Sequence, residues 1–214
     1  MSGIAPFSSE RELITFARKF LHGRVQLLNK DVEVCLTANR QVSHAYFPAL
    51  MTCISFLDLL SGLHAGQLKG QGIEELVAYA AKFMTRTHYP ELELTICYEM
   101  MRHKIAHLGH PYVVFDTHSS KKLKQSPPKR VTWTLYATNR PLPLELVACP
   151  GSSLQYTLRP WEVPYDHRLH ISIHRFKVDA VNSINGPTGY RAHLISDPGA
   201  KARFAGCMKE YYPP

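Results

Sequence analysis

Residues 91–111 read ELELTICYEMMRHKIAHLGHP. Pro90 precedes the run, and Gly109 and Pro111 close it, which brackets a helix over about 91–108. At about 100° per residue, Leu94, Cys97, Tyr98, Met101, Ile105 and Leu108 share one arc and are expected to face a core. Arg102, Ala106, Glu99, His110, His103 and His107 follow, in that angular order, over an arc of about 140° on the other side. One face of this helix thus carries an arginine, a glutamate and three histidines, with Arg102 and His107 at its edges.

Working back from it, three more helices precede. Ser9-x-x-Glu12 is a capping-box pattern, and Leu13, Phe16, Ala17, Phe20, Leu21 and Leu28 follow as one apolar stripe. This helix is expected to run on towards Cys35, with a break allowed near Asn29. A second is predicted over 46–63, with Phe47, Leu50, Met51, Ile54 and Leu57 inward and glycines from Gly62 to Gly72 marking its end. A third is predicted over 73–85, its first turn carrying Glu74 and Glu75. Four helices with short loops predict a bundle over 1–118.

Working forward, residues 119–130 (SSKKLKQSPPKR) read as a basic, proline-containing connector. Val131, Trp133, Leu135 and Ala137 then alternate with polar residues, as a strand does. Leu144–Ala148 and Leu154–Leu158 predict two further short strands, and Leu169, Ile171 and Ile173 a fourth. Phe176–Ile184 fits strand or helix. Asp197-Pro198 is an N-cap/N1 pair for a last helix over about 198–211. The expectation is an α+β chain: a four-helix bundle at 1–118, the connector at 119–130, and a small antiparallel β unit with a terminal helix at 131–214.

The chain has 214 residues, 45% hydrophobic and 20% charged, which excludes wholesale disorder. No apolar run is read as approaching the roughly 18 residues of a membrane span, and residues 1–14 lack the pattern of a secretory signal. Five scattered cysteines without C-x-x-C spacing argue against a disulfide framework and for reduced thiols. The expected location is cytoplasmic, with no membrane partner. The net charge of +8 is uneven. Residues 1–118 balance 11 bases against 11 acids, whereas 119–130 hold five bases and no acid. Lys121, Lys122, Lys124, Lys129 and Arg130 are therefore the candidate contacts for a phosphate backbone, although such runs are more often solvated linkers.

The polar face of residues 99–110 suits acid–base work on a phosphodiester. An imidazole titrates near neutrality and can give or take a proton. A guanidinium stays charged and offers forked donors to a phosphate. His107, near the helix C-terminus, would be held protonated by the dipole. The same residues permit a weaker metal reading, since His103 and His107 are i, i+4 with Glu99 and His110 nearby. The segment is H-K-I-A-H, however, not H-E-x-x-H, and no metal or other cofactor is expected. Asp58 falls among Phe56, Leu57, Leu59 and Leu60, and would need a partner on the fourth helix unless it lies at an exposed helix edge. His167, His170 and His174 are read as surface or packing residues.

The pattern Arg102-His103-x-x-x-His107 resembles the signature of the HEPN superfamily: Arg, a polar residue, three residues, then His, on the last long helix of a four-helix bundle. The likeness covers residues 8–115, about half the chain. It implies a metal-independent endoribonuclease acting on RNA at a homodimeric cleft, in toxin–antitoxin, phage-defence or RNA-processing settings. By the same resemblance Arg102 would bind and polarise the phosphate, His107 would be the general base or acid, and His103 would support them. Glu99, Asp58 and His110 are the further supporting candidates. One branch of the family carries a tyrosine two residues after the His, where this chain has Gly109. The alternative is a HEPN fold without nuclease activity that binds RNA or a protein partner.

Overall fold

The first long helix, α1 (Glu10–Thr37), begins where two serines meet Glu12. Ser9 Oγ accepts the Glu12 N–H at 3.2 Å, and the Glu12 carboxylate accepts the Ser8 N–H at 2.7 Å, so the box closes one residue earlier than its simplest form. Leu13, Ala17, Leu21, Val25, Leu28 and Val32 are buried along one stripe, which holds the helix unbroken past Asn29. The computed structural model describes residues 6–37, 45–70, 72–102, 112–123, 126–155 and 161–212.

Helix α2 (Tyr46–Ala65) is the centre of the molecule. Its length and hydropathy are those of a membrane-crossing helix, contrary to the sequence reading, but most of it is buried within the protein. Ala49, Leu50, Cys53, Leu57, Leu60 and Leu63 are fully enclosed. It ends at Gly66, whose φ of 90° puts it in the left-handed region and whose N–H reaches the Gly62 carbonyl at 2.8 Å. A side chain at Gly66 would also collide with the Arg203 stem, 2.9 Å from an added Cβ. Helix α3 (Ile73–Phe83) follows, with Ile73, Leu76, Tyr79 and Ala80 inward. A 3₁₀ turn (Arg86–His88) leads to α4 (Glu91–Cys97), which continues as a π turn over Tyr98–Arg102.

Strands β1 (Phe115–Asp116), β2 (Arg130–Tyr136), β3 (Leu144–Gln155) and β4 (Glu162–Ser172) form one sheet in the order β1-β2-β4-β3. The expected antiparallel unit is instead a mixed sheet: β2 and β4 run parallel, while β1–β2 and β3–β4 are antiparallel. β4 is an inner strand, between β2 and β3, and its Leu169 and Ile171 are wholly buried. Trp133 pairs with Leu169 and Leu135 with Ile171, which places the apolar alternation of β2 on the same face. The strand expected at 144–148 and the start of the one expected at 154–158 merge into β3, and 156–158 lie outside the described residues. Pro150 and Gly151 fall within its register shift between Ala148 and Ser152, on an edge strand where a missing N–H is tolerated.

Helices α5 (Ile173–Asn185), α6 (Tyr190–Ser196) and α7 (Pro198–Tyr211) complete the chain. The ambiguous 176–184 stretch is helical: Ser172 Oγ accepts the Arg175 N–H, and Ile173, Phe176, Ala180 and Ile184 face inward. Asp197 caps α7, accepting the Ala200 N–H at 2.9 Å. Both α5 and α7 pack on α2, and α5 also packs on β2 and β4. Nearly all the buried apolar residues of helices and sheet form one continuous cluster.

Candidate functional site

The helix that carries the Arg–His pattern starts regularly. The Thr95 hydroxyl donates to the Glu91 carbonyl at 2.7 Å inside α4, and Leu94, Ile96 and Cys97 are buried. From Tyr98 the backbone widens into the π turn, so the α-helical wheel holds only over 91–97. Tyr98, Met100 and Met101 are all buried there, a wider arc than one stripe of an α-helix covers. Met100 was not expected in the core. Glu99 is half-buried. Arg102 belongs to the turn. Its side chain, together with His103, His107 and His110, lies outside the described residues, and so does Lys124.

Asp58 is only 6% exposed, which excludes the exposed-edge alternative. It sits on α2, which packs against the π turn that carries Arg102. The neighbouring Ser61 hydroxyl donates to the Asp58 carbonyl at 2.9 Å.

Beside α4 runs a groove of about 660 Å³, walled by Ile73, Val77 and Ala81 of α3 and by Leu92 and Thr95 of α4. Glu74 and Glu91 form its acidic rim, and the connector closes one end with Lys122 and Leu123. Leu123 is 9% exposed and anchors the connector, while the Lys122 ammonium lies 2.5 Å from Glu74 Oε1. That contact, with Glu75 and Glu99 farther off, raises the Lys122 pKa. Of the sequence candidates, the groove holds Lys122. Both members of the Lys122–Glu74 pair are exposed, so the pair contributes little to stability.

The other basic candidates are dispersed. Lys121 is exposed. The Lys129 N–H donates to Thr117 Oγ1 at 2.7 Å, and its ammonium lies 3.4 Å from His167 Nε2. The Arg130 N–H donates to Asp166 Oδ1 at 3.0 Å as β2 begins. His167 pairs with Asp166, and His170 stands 3.8 Å from Glu145 with its ring near Tyr136. Among the described residues, no three His, Cys, Asp or Glu side chains gather to hold a metal ion.

A second cluster had no sequence signal, because its members come from α2, α3, α6 and α7. The His64 ring is surrounded by Tyr79, Phe83, Tyr190 and His193 at centroid distances of 5.1 to 6.3 Å. Burial pushes its pKa down to about 4, with Lys82, Arg203 and His193 adding to the shift. The His193 pKa is lowered by burial and by Lys82, whose ammonium donates to His193 Nε2 at 3.0 Å. A third cluster, His88–Asp179–Arg175, ties the 3₁₀ turn to α5. Asp179 Oδ2 is 3.0 Å from His88 Nδ1, and Oδ1 is 3.1 Å from Arg175 Nε.

Compared with known protein families, curated proteins and solved structures, the chain matches none.

Proposed function

We propose that this protein is a metal-independent endoribonuclease that acts through Arg102 and His107 in a HEPN-like arrangement of its first four helices, working as a homodimer. The observation that carries the reading is the position of Arg102. It lies on a π turn that continues the fourth helix, on a segment fixed from beneath by the buried Tyr98, Met100 and Met101. Irregular helical turns of this kind recur at functional sites.

The chemistry asked of the pair is small. A base takes the proton of an RNA 2′-hydroxyl, whose oxygen attacks the adjacent phosphorus. The P–O5′ bond breaks, and the departing oxygen takes a proton from an acid. The products are a 2′,3′-cyclic phosphate and a 5′-hydroxyl. His107 supplies one of the proton transfers, and the Arg102 guanidinium offsets the charge on the non-bridging oxygens. His103, His110 and Glu99 would orient the site, and buried Asp58 would support the turn from α2. Lys121, Lys124, Lys129 and Arg130 would attract the strand, with Lys122 joining them once released from Glu74.

The test is cleavage of single-stranded RNA in the presence of EDTA. Arg102→Ala and His107→Ala are each expected to lower the rate by about a hundredfold or more, the range of acid–base and oxyanion effects. Salt-sensitive RNA binding without cleavage by the wild type would instead indicate a binding module that retains the fold alone.

A further inference from the structure

Helix α1 carries two apolar stripes. One, from Leu13 to Val32, faces the core. The other is Phe16, Phe20, Gly23, Leu27, Lys30 and Val34, spaced alternately by four and three residues. That seven-residue repeat is the pattern of a helix packed lengthwise on another. Leu27 and Val34 are 50% and 61% exposed. Phe16 and Phe20 are half-buried beside Phe204, Tyr211 and Tyr212. From Phe16 to Val34 the stripe runs roughly 27 Å.

Gly23 sits near its middle. In a helix interior glycine is weaker than alanine, yet among the described residues an added Cβ here would meet nothing within 4 Å. Packing within the chain does not call for a glycine at this position; the close approach of another helix does. Lys19, Phe20, Leu27 and Lys30 border a hollow of about 540 Å³ around it. The charge reverses along the flanks of the stripe. Lys19 and Arg24 stand beside its first half, and Asp31 and Glu33 beside its second. Among the described residues none of these four side chains forms an ion pair; Arg24 meets the Tyr211 hydroxyl and the Phe20 and Tyr211 rings. The four charges sum to zero, and their order matches a partner that carries the same charges in reverse.

We propose that this stripe packs antiparallel on the same stripe of a second copy of the chain, about a two-fold axis level with Val25. In that register Leu27 of each copy enters the hole at Gly23 of the other, Phe16 lies against Val34, and Phe20 lies against the Lys30 stem. Lys19 then faces Glu33, and Arg24 faces Asp31, each pair formed twice by symmetry. The parallel arrangement fails on the same residues. It would set Lys30 against Lys30 and Lys19 beside Arg24, and it would leave Leu27 without a hole. The proposal rests on α1 alone, not on the chemistry of Arg102 and His107, and stands even where no RNA is cleaved.

Sedimentation equilibrium of the full chain tests it. The wild type should dimerise with a micromolar dissociation constant, since one helix pair makes a small interface. Leu27→Ala should weaken the dimer by about a hundredfold, roughly tenfold for each of the two leucines. Gly23→Ala should act with opposite signs: a higher thermal midpoint for the dilute monomer, and a dimer weakened by about tenfold or more as the hole fills. Lys19→Glu should weaken the dimer by about fivefold or more, because two attractive pairs become repulsive, and adding Glu33→Lys should restore it. Leu27, Lys19 and Glu33 are exposed, so these variants keep the fold. A wild type that stays monomeric throughout the micromolar range would overturn the proposal, whether or not the stripe then captures RNA or another protein. So would a dimer that Leu27→Ala and Gly23→Ala leave equally tight, or a loss in Lys19→Glu that Glu33→Lys does not repair.

Discussion

The five thiols occupy two environments. Burial pushes Cys53 and Cys97 up to about 12 and Cys207 up to about 11, whereas Cys35 and Cys149 are only half-buried. A thiolate is the reactive form, so the three raised groups are protected twice over, by enclosure and by protonation. A disulfide-exchange reagent at pH 8 is expected to modify Cys35 and Cys149 quickly in the native protein, and all five only after denaturation. Rapid native reaction at Cys53 would contradict the burial of α2. His64 makes the complementary case. Its folded pKa of about 4 lies below the ordinary value of 6.5, so the unfolded chain takes up the proton first. Stability held above pH 6.5 is lost as the pH falls towards 4. Urea midpoints from pH 7 to pH 4 should fall less steeply in His64→Gln than in the wild type. The His64 ring resonances should show no midpoint near 6.5. No local sequence signal marks this residue: its neighbours Lys82, His193 and Arg203 come from three other helices.

Local chemistry was legible at the scale of elements, and long-range pairing was not. Asp197-Pro198 announces α7, and the cap is formed as read. Asp197→Ala is expected to cost about 1 kcal/mol in denaturant unfolding, the usual loss of an N-cap. The Tyr79 hydroxyl meets the Ser183 hydroxyl at 2.9 Å, joining α3 to α5 inside the core. Tyr79→Phe should cost about 1–2 kcal/mol, because Ser183 Oγ keeps only its bond to the Ala180 carbonyl. The stretch 176–184 was ambiguous because Val178 adds a strand-like alternation with Phe176 and Ala180 to the helical spacing of Phe176, Ala180 and Ile184. The Ser172 cap resolves it, and that cap is visible only once β4 ends there. The parallel pairing of β2 with β4 was beyond local reading, since nothing in 130–136 records which later strand will lie beside it. The π turn was missed for a related reason: Tyr98, Met100 and Met101 fit one α-helical stripe only if Met100 is ignored.

In the whole molecule, α2 is shared. It packs on α1, α3, α5 and α7, and α5 carries the load on to the sheet. Leu57, wholly enclosed at the middle of α2, should cost about 2–5 kcal/mol on replacement by alanine. Far-ultraviolet dichroism of the helices and the fluorescence of Trp133 on β2 should share one unfolding midpoint, displaced together in that variant. This common core is also what would hold the π turn, and so Arg102, in place. RNA incubated in EDTA with wild-type protein or Arg102→Ala, with the fragment ends identified, tests the functional account most directly. The account predicts 2′,3′-cyclic phosphate ends that appear with the wild type and are reduced by about a hundredfold or more in the variant. Equal cleavage by both proteins, or wild-type cleavage of the fully 2′-deoxy strand, would contradict it.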